Sequence, residues 1–438
     1  MYYLFLSLTL FFCAKIISLS GVKRSVWFLG SLLFLSDSIR VWGIFNSHFA
    51  FVFAFLLSLL RHKELKIIYR EYPLQIITMV IFFIYLLIGI LDNRISMISR
   101  LSRPITEFFL TYVAFFIGFC CVRSFRELNL VLLNLAKMLS IVCLYGILTF
   151  FLQKNPLYDL ISLANSENLG IWSEVQERGY RVCSFFNNPI VYGGAMGVYS
   201  LIIFNVWHTT REKALKYLVF IALLISVVIA NSRTGMITTF ALYLLYYLLR
   251  NKISYKNCVV FCVSSLSLYI IYSSIGVVRP MIDSALDLLI TGGANSSGST
   301  MDLKEQQWAT SVLYFSDAPY FGHGLYYFPE VMGNKYSRYF EPLIAGMEGY
   351  QYKILIEQGG FMAVAVVIFY IQLLFVFFKN RSRNITIAYT GIACMFAFLF
   401  FICSTGTYGS TFLHFGVYIG ILLRCVYDKR FFNTYTCI

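Results

Sequence analysis

The sequence predicts an all-α polytopic integral membrane protein, with about 12–13 transmembrane helices and a large outer loop containing short helices. Three observations predict it. Of 438 residues, 59% are hydrophobic and 13% charged, about half the roughly 25% charge of soluble domains. A water-soluble globule of this size could not cover that much apolar surface. The apolar residues fall in continuous runs near the 17–25 residues that a helix needs to cross a bilayer, without the period-2 alternation of barrel strands. Basic residues collect in the short connections between these runs, as membrane topology produces. This composition excludes a cytosolic enzyme, a DNA-binding protein and a secreted disulfide scaffold, and 18% aromatic residues exclude a disordered chain. A net charge of +14 would point to nucleic acid in a soluble protein; here the loops carry it, and no nucleic-acid partner is expected.

Taken in order, spans are expected near 2–19, 22–36, 41–60, 73–91, 105–122, 128–152, 187–207, 217–230, 234–249, 257–277, 352–378, 385–403 and 407–424. The first lacks a basic leader and a small-residue cleavage site, so it reads as a span and not as a signal peptide. The second is short and ends at Asp37 and Arg40. It is a tilted span or a re-entrant element, which leaves the side of the N-terminus open. Most of the eleven cysteines lie within apolar runs and read as small buried hydrophobes. No tandem repeat is present.

Basic connections follow at Lys23/Arg24, Arg61/Lys63/Lys66/Arg70, Arg123/Arg126, Arg211/Lys213/Lys216, Arg250/Lys252/Lys256, Lys379/Arg381/Arg383 and Lys429/Arg430. From the third span onward, alternation puts all of them on one side, which the positive-inside rule makes cytoplasmic. The chain then divides into N-terminal spans over 1–277 with an outer segment near 153–186, a large outer loop or cap over 278–351, C-terminal spans over 352–425 and a cytoplasmic tail over 426–438. The long 278–351 loop exceeds a simple connector and is expected to be functional.

The outer side is unusual in its cations. Arg94, Arg100, Arg103, Arg178, Arg181, Arg233, Arg279 and Arg338 stand there against Lys154, Lys304 and Lys335. Arginine forks match phosphate bidentately, whereas lysine acts as a point charge. The plainer explanation is pairing with Glu167, Glu174, Glu177, Asp302 or Glu305. Arg233 lies in Asn231-Ser232-Arg233-Thr234-Gly235, a polar turn between two spans, where a charge is costly unless paired or functional. Arg178 and Arg181 lead through Asn187 and Pro189 into a span carrying Gly193, Gly194 and Gly197, small residues that permit close backbone approach. His323, between Gly322 and Gly324, is a structural turn residue or an acid, base or donor. Glu348, followed by Tyr350 at the outer end of span 352–378, is a general base or an arginine partner. Glu357 is a functional intramembrane carboxylate or the partner of Lys353 four residues before it. Phosphate loops, His-Glu-x-x-His, Cys-x-x-Cys and paired-aspartate motifs are absent, so no metal site is expected.

Three of these segments together resemble the bacterial O-antigen polymerase/O-antigen ligase superfamily. They are Ser232-Arg233-Thr234-Gly235 at the head of a span, the Arg-x-x-Ser-Phe-x-Asn-Pro run over 181–189, and Phe321-Gly322-His323-Gly324 followed by Leu355-Ile356-Glu357-Gln358-Gly359. The resemblance covers roughly 178–425; the N-terminal third matches only in hydropathy. It implies a glycosyltransferase at the periplasmic face of the bacterial inner membrane, acting on glycans carried by undecaprenyl diphosphate, without nucleotide, cofactor or essential metal. Donor and acceptor would both be lipid-linked glycans, and a chain-length regulator and a flippase would be the protein partners. Ligases of this superfamily commonly place a His nine residues before the last motif's Glu; here that position is Glu348, which favours a polymerase. On this reading Arg181 and Arg233 stabilise the diphosphate leaving group, Glu348 or His323 is the base, and Arg178, Arg279, Arg338, Asn187 and Tyr350 hold substrate. The alternatives are an O-antigen ligase and a lipid-linked oligosaccharide transporter. A transporter would show repeated halves and deeper charges, for which only Lys15, Asp37, Arg40 and Lys137 speak.

Overall fold

The computed structural model describes residues 1–41, 45–164, 180–250, 283, 286–287, 301–327, 349–405 and 411–431. The expected span 257–277, most of the large loop, and Arg178, Arg279, Arg338 and Glu348 lie outside the described residues. What is described is a helical bundle. The helices are α1 (Tyr2–Ser18), α2 (Gly21–Phe34), α3 (Ser47–Arg61), α4 (Leu65–Glu71), α5 (Gln75–Leu91), α6 (Met97–Thr111), α7 (Val113–Cys120), α8 (Phe125–Leu152), α9 (Pro156–Ala164), α10 (Pro189–Val206), α11 (Lys213–Ile229), α12 (Arg233–Arg250), α13 (Met301–Asp317), α14 (Tyr350–Lys353), α15 (Gly359–Lys379), α16 (Ile385–Thr405) and α17 (Thr411–Tyr427). The strands described are a two-residue antiparallel pair, β1 (Arg40–Val41) and β2 (Phe45–Asn46).

By length and apolarity, four described stretches can cross a membrane as they stand: α8, α10, the continuous run Tyr350–Lys379 and α16. The bent pairs α4/α5 (107°) and α6/α7 (44°) qualify if each is one span. On α15, Val364, Val367, Ile371 and Phe375 are all more than half exposed. Their three- and four-residue spacing makes one apolar stripe, which water would not tolerate and acyl chains would. The chain is therefore a polytopic membrane protein.

Local chemistry moves several expected boundaries. The span expected from residue 41 starts at Ser47, because the β1–β2 turn precedes it and Asn46 caps α3 by accepting the Phe49 N–H at 2.8 Å. The span expected at 128–152 starts at Phe125. There the Ser124 hydroxyl accepts the Glu127 N–H, and the Glu127 carboxylate accepts the Arg123 N–H, a variant of the capping box. The span expected at 105–122 begins earlier, at Met97, and breaks at buried Tyr112. The span expected at 352–378 begins at Tyr350 and passes through a π-helical turn, Ile354–Gln358, before α15.

The centre of the bundle is α17 and α10, nearly every residue of which is buried. α17 lies against α7 at backbone contact. A Cβ on Gly118 would fall 1.9 Å from the Val417 carbonyl oxygen, and one on Gly420 would fall 2.2 Å from that of Phe115. Without a hydrophobic drive between helices in lipid, such small-residue packing is what holds them.

Basic connections from four places in the sequence gather at one end. Arg24 reaches Glu64 at 2.8 Å and Arg123 reaches the same carboxylate at 2.5 Å. Arg424 meets Glu71 at 2.7 Å and Asp428 at 2.8 Å, and Arg430 meets Asp428 at 2.6 Å. The opposite end carries the β1–β2 turn, segment 180–188 and α13. Helix α13, from the expected cap, docks there: Lys304 Nζ donates to the Ser404 carbonyl at 2.5 Å, and Tyr352 donates to the Lys304 carbonyl at 3.2 Å.

Candidate functional site

Two clusters occupy the end opposite the basic connections. The first is built on the N-termini of α10 and α12. Asn188 caps α10 by accepting the Ile190 N–H at 2.7 Å, with Pro189 at the first helical position, where its missing N–H costs nothing. Ser232 caps α12 by accepting the Gly235 N–H at 3.1 Å. The two helices touch there, because a Cβ on Gly235 would lie 3.3 Å from the Gly193 Cα. Both positive helix ends therefore face the same region, which is an arrangement suited to an anion.

Arg233 opens α12, and Arg181 lies on the segment leading to α10. Both are enclosed, each with 7% of its surface exposed. Segment 180–188 is tied down on three sides. The Val182 N–H donates to the Ile229 carbonyl at 3.3 Å, four residues before Arg233. The Ser184 hydroxyl donates to the Val142 carbonyl at 2.7 Å, and the Asn155 amide donates to the Ser184 carbonyl at 2.8 Å. Tyr158 adds a hydrogen bond to the Phe186 carbonyl. Asp287 lies within electrostatic reach of Arg233, a carboxylate outside the five that the sequence offered as arginine partners. The Asn187 side-chain oxygen is buried and accepts no hydrogen bond from the protein, which suits it to a ligand donor.

The second cluster surrounds His323. Gly322 and Gly324 hold left-handed φ values of 66° and 96°, which other residues adopt only under strain. Both are also sterically required: a Cβ on Gly322 would strike the Glu357 backbone at 2.4 Å, and one on Gly324 would strike the Asp92 carboxylate at 2.4 Å. The turn is bonded to the π-helical segment through His323 N–H to the Ile356 carbonyl (2.8 Å) and Gly324 N–H to the Glu357 carbonyl (3.1 Å). His323 Nε2 lies 3.0 Å from the Tyr314 carbonyl. A carbonyl only accepts, so Nε2 carries the proton and Nδ1 is the nitrogen able to receive one. The ring stacks on Tyr327 at 4.5 Å, and the Arg94 guanidinium sits 4.9 Å from the same tyrosine.

Sequence reasoning named the cations of this cluster, Arg94, Arg103 and Lys353, but missed their partners Asp92, Glu107 and Tyr326. Lys353 pairs with Glu107 on α6 at 2.6 Å and also lies within electrostatic reach of Glu357 on its own helix. Tyr326 lies beneath both Lys353 (5.7 Å) and Arg103 (5.3 Å). The Glu107 charge and then desolvation push its phenol up to about 12, so it stays a neutral hydrogen-bond donor. Arg100, Arg103 and Glu107 recur at helical spacing; that pattern was the available signal. Asp92 holds Arg94 in a bidentate pair at 2.7 and 2.9 Å.

Tyr350 belongs to neither open surface. It is 3% exposed, and its hydroxyl meets that of Tyr112 at 2.9 Å among packed aromatic rings. Glu357 is enclosed in the π-helical turn. The bundle core between the two clusters holds His414, bonded to the Tyr199 hydroxyl at 2.9 Å, with its ring against Phe186 and against His48. Among the described residues no group of three or more His, Cys, Asp or Glu is placed to hold a metal.

Residues 217–350 match the family model described as O-antigen ligase. That segment contains Arg233, His323 and Glu348. The match supports the O-antigen ligase/polymerase superfamily, whose members are glycosyltransferase-like membrane enzymes, and it does not separate polymerase from ligase. No curated protein matches the chain.

Proposed function

We propose that the protein is an O-antigen polymerase that joins lipid-diphosphate-linked repeat units at the periplasmic face of the inner membrane. The observation that carries this reading is the pair of enclosed arginines, Arg181 and Arg233, at the touching N-termini of α10 and α12. A hydroxyl oxygen of the acceptor glycan attacks the donor's anomeric carbon. The new glycosidic bond forms as the bond from that carbon to the diphosphate breaks, and its electron pair leaves on the phosphate oxygen. The hydroxyl proton passes to Glu348 or to Nδ1 of His323.

Charge grows on the leaving diphosphate, and fixed guanidiniums with two helix N-termini stabilise it without having to reorganise. Asn187 offers an acceptor to a sugar hydroxyl, and Arg178, Arg279 and Arg338 extend the anion site. Holding two membrane-tethered substrates side by side supplies much of the remaining rate. The alternative reading is an O-antigen ligase that transfers finished glycan to lipid A-core; the match over 217–350 is compatible with both.

Deleting the gene and restoring it as wild type, Arg233→Ala, Arg181→Ala or Glu348→Ala, read on a lipopolysaccharide gel, tests the proposal. Core plus a single repeat after deletion, with the ladder restored only by wild type, is the expected result. Loss of every repeat from the core, with polymer accumulating on its lipid carrier, would establish the ligase. An unchanged ladder would overturn both.

A further inference from the structure

We infer that the basic end carries a binding site for an anionic phospholipid headgroup, between α5, α15, α17 and the turn Lys429–Phe431. A cavity of about 920 Å³ lies there, within the roughly 300–1,000 Å³ span of small-molecule sites. Its cationic side chains are Lys379, Arg383, Arg424, Lys429 and Arg430, against the two carboxylates of Glu71 and Asp428. Those carboxylates are already engaged by Arg424, which is only 2% exposed, and by Arg430. Five cations against two carboxylates leave the lining net positive, and Lys379, Arg383 and Lys429 are exposed side chains. Arg383 is steered by a 2.8 Å hydrogen bond to the Tyr427 carbonyl, and the Lys379 ammonium stands 5.8 Å over the Phe375 ring.

The other wall is apolar and includes Leu74, Ile76 and Phe375. Ile76 is 74% exposed and Phe375 61%, and Phe375 continues the exposed apolar stripe of α15. The cavity thus joins a phosphate-binding face to the surface where acyl chains lie. A free phosphate would use the first face only; a phospholipid uses both. Basic pockets of this kind, on the side with the positive loops, recognise anionic headgroups. The site is remote from the proposed glycan chemistry and does not depend on it.

The test uses the full chain purified in neutral detergent, with thermal unfolding followed during titration with phosphatidylglycerol, phosphatidylcholine or inorganic phosphate. Phosphatidylglycerol is expected to raise Tm. Lys379→Ala/Arg383→Ala should weaken its apparent affinity by about 25-fold, roughly five-fold per lost charge, with the lipid-free Tm unchanged. If the double variant does not fold, Lys429→Gln reads the same site with one charge removed. Equal stabilisation by phosphatidylcholine, or an unaltered phosphatidylglycerol response in the variants, would overturn the site. Equal stabilisation by inorganic phosphate would reassign it to a soluble anion and overturn the lipid.

Discussion

Among the described cations, Arg181 and Arg233 are enclosed beside two helix N-termini that already supply positive potential. Loss of either is expected to slow glycan transfer about 10²–10³-fold, the usual cost of removing one preorganised donor to a developing anion. Arg233→Lys should recover little of it, because an ammonium keeps the charge without the fork; transfer from a lipid-linked donor in membranes measures both. Arg24 shows a buried arginine used for structure. It is fully enclosed, lies 4.7 Å from the Phe55 ring and meets Glu64. Removing Glu64 strands that charge, so Glu64→Leu should cost about 3–5 kcal/mol in unfolding measurements. Burial alone would raise the Glu64 carboxyl, but hydrogen bonds from Arg24 and Arg123 hold it below its ordinary 4.5. A depressed carboxylate stabilises the fold above its unfolded pKa and loses that contribution as pH falls through the folded value. Wild-type Tm should therefore drop below about pH 4.5, and Glu64→Gln should flatten that acid limb.

Among elements, the 321–324 turn and the π-helical segment behave as one unit. Gly322→Ala places a Cβ against the Glu357 backbone in a left-handed conformation. It should cost about 1–3 kcal/mol and displace His323, so that activity falls further than Tm does. The α7–α17 contact is the structural counterpart. Gly118→Val should overpack it by at least about 1–3 kcal/mol, lowering yield and Tm without selecting any step of the reaction. Sequence alone marked both elements, the first by paired glycines around a histidine and the second by apolarity. It could not pair Lys353 with Glu107, because residues 246 positions apart share no local pattern, and the nearer Glu357 offered the obvious helical partner.

For the whole molecule, Arg24, Arg123, Arg424 and Arg430 gather at one end, and the orientation expected from the loops would make that end cytoplasmic. A green fluorescent protein fused at the C-terminus should fluoresce, and alkaline phosphatase inserted after Asp317 should be active. The reverse pattern would turn the molecule over and move the arginine site to the cytoplasmic side.

The sequence by itself determined the solvent in which this chain folds and the approximate place of most of the described helices. These are properties of composition and spacing, which the bilayer reads directly: apolar length sets the span, and loop charge sets the orientation. It also marked Arg181 and Arg233 as unusual. Only the tertiary structure decided which of these residues share a site. The α10–α12 approach depends on Gly193 and Gly235 meeting across forty-two positions of sequence, and the His323 turn depends on a π-helical segment near the start of a membrane span. Contacts of that kind are set by packing in three dimensions, where a missing Cβ or one extra residue per turn decides which backbones meet.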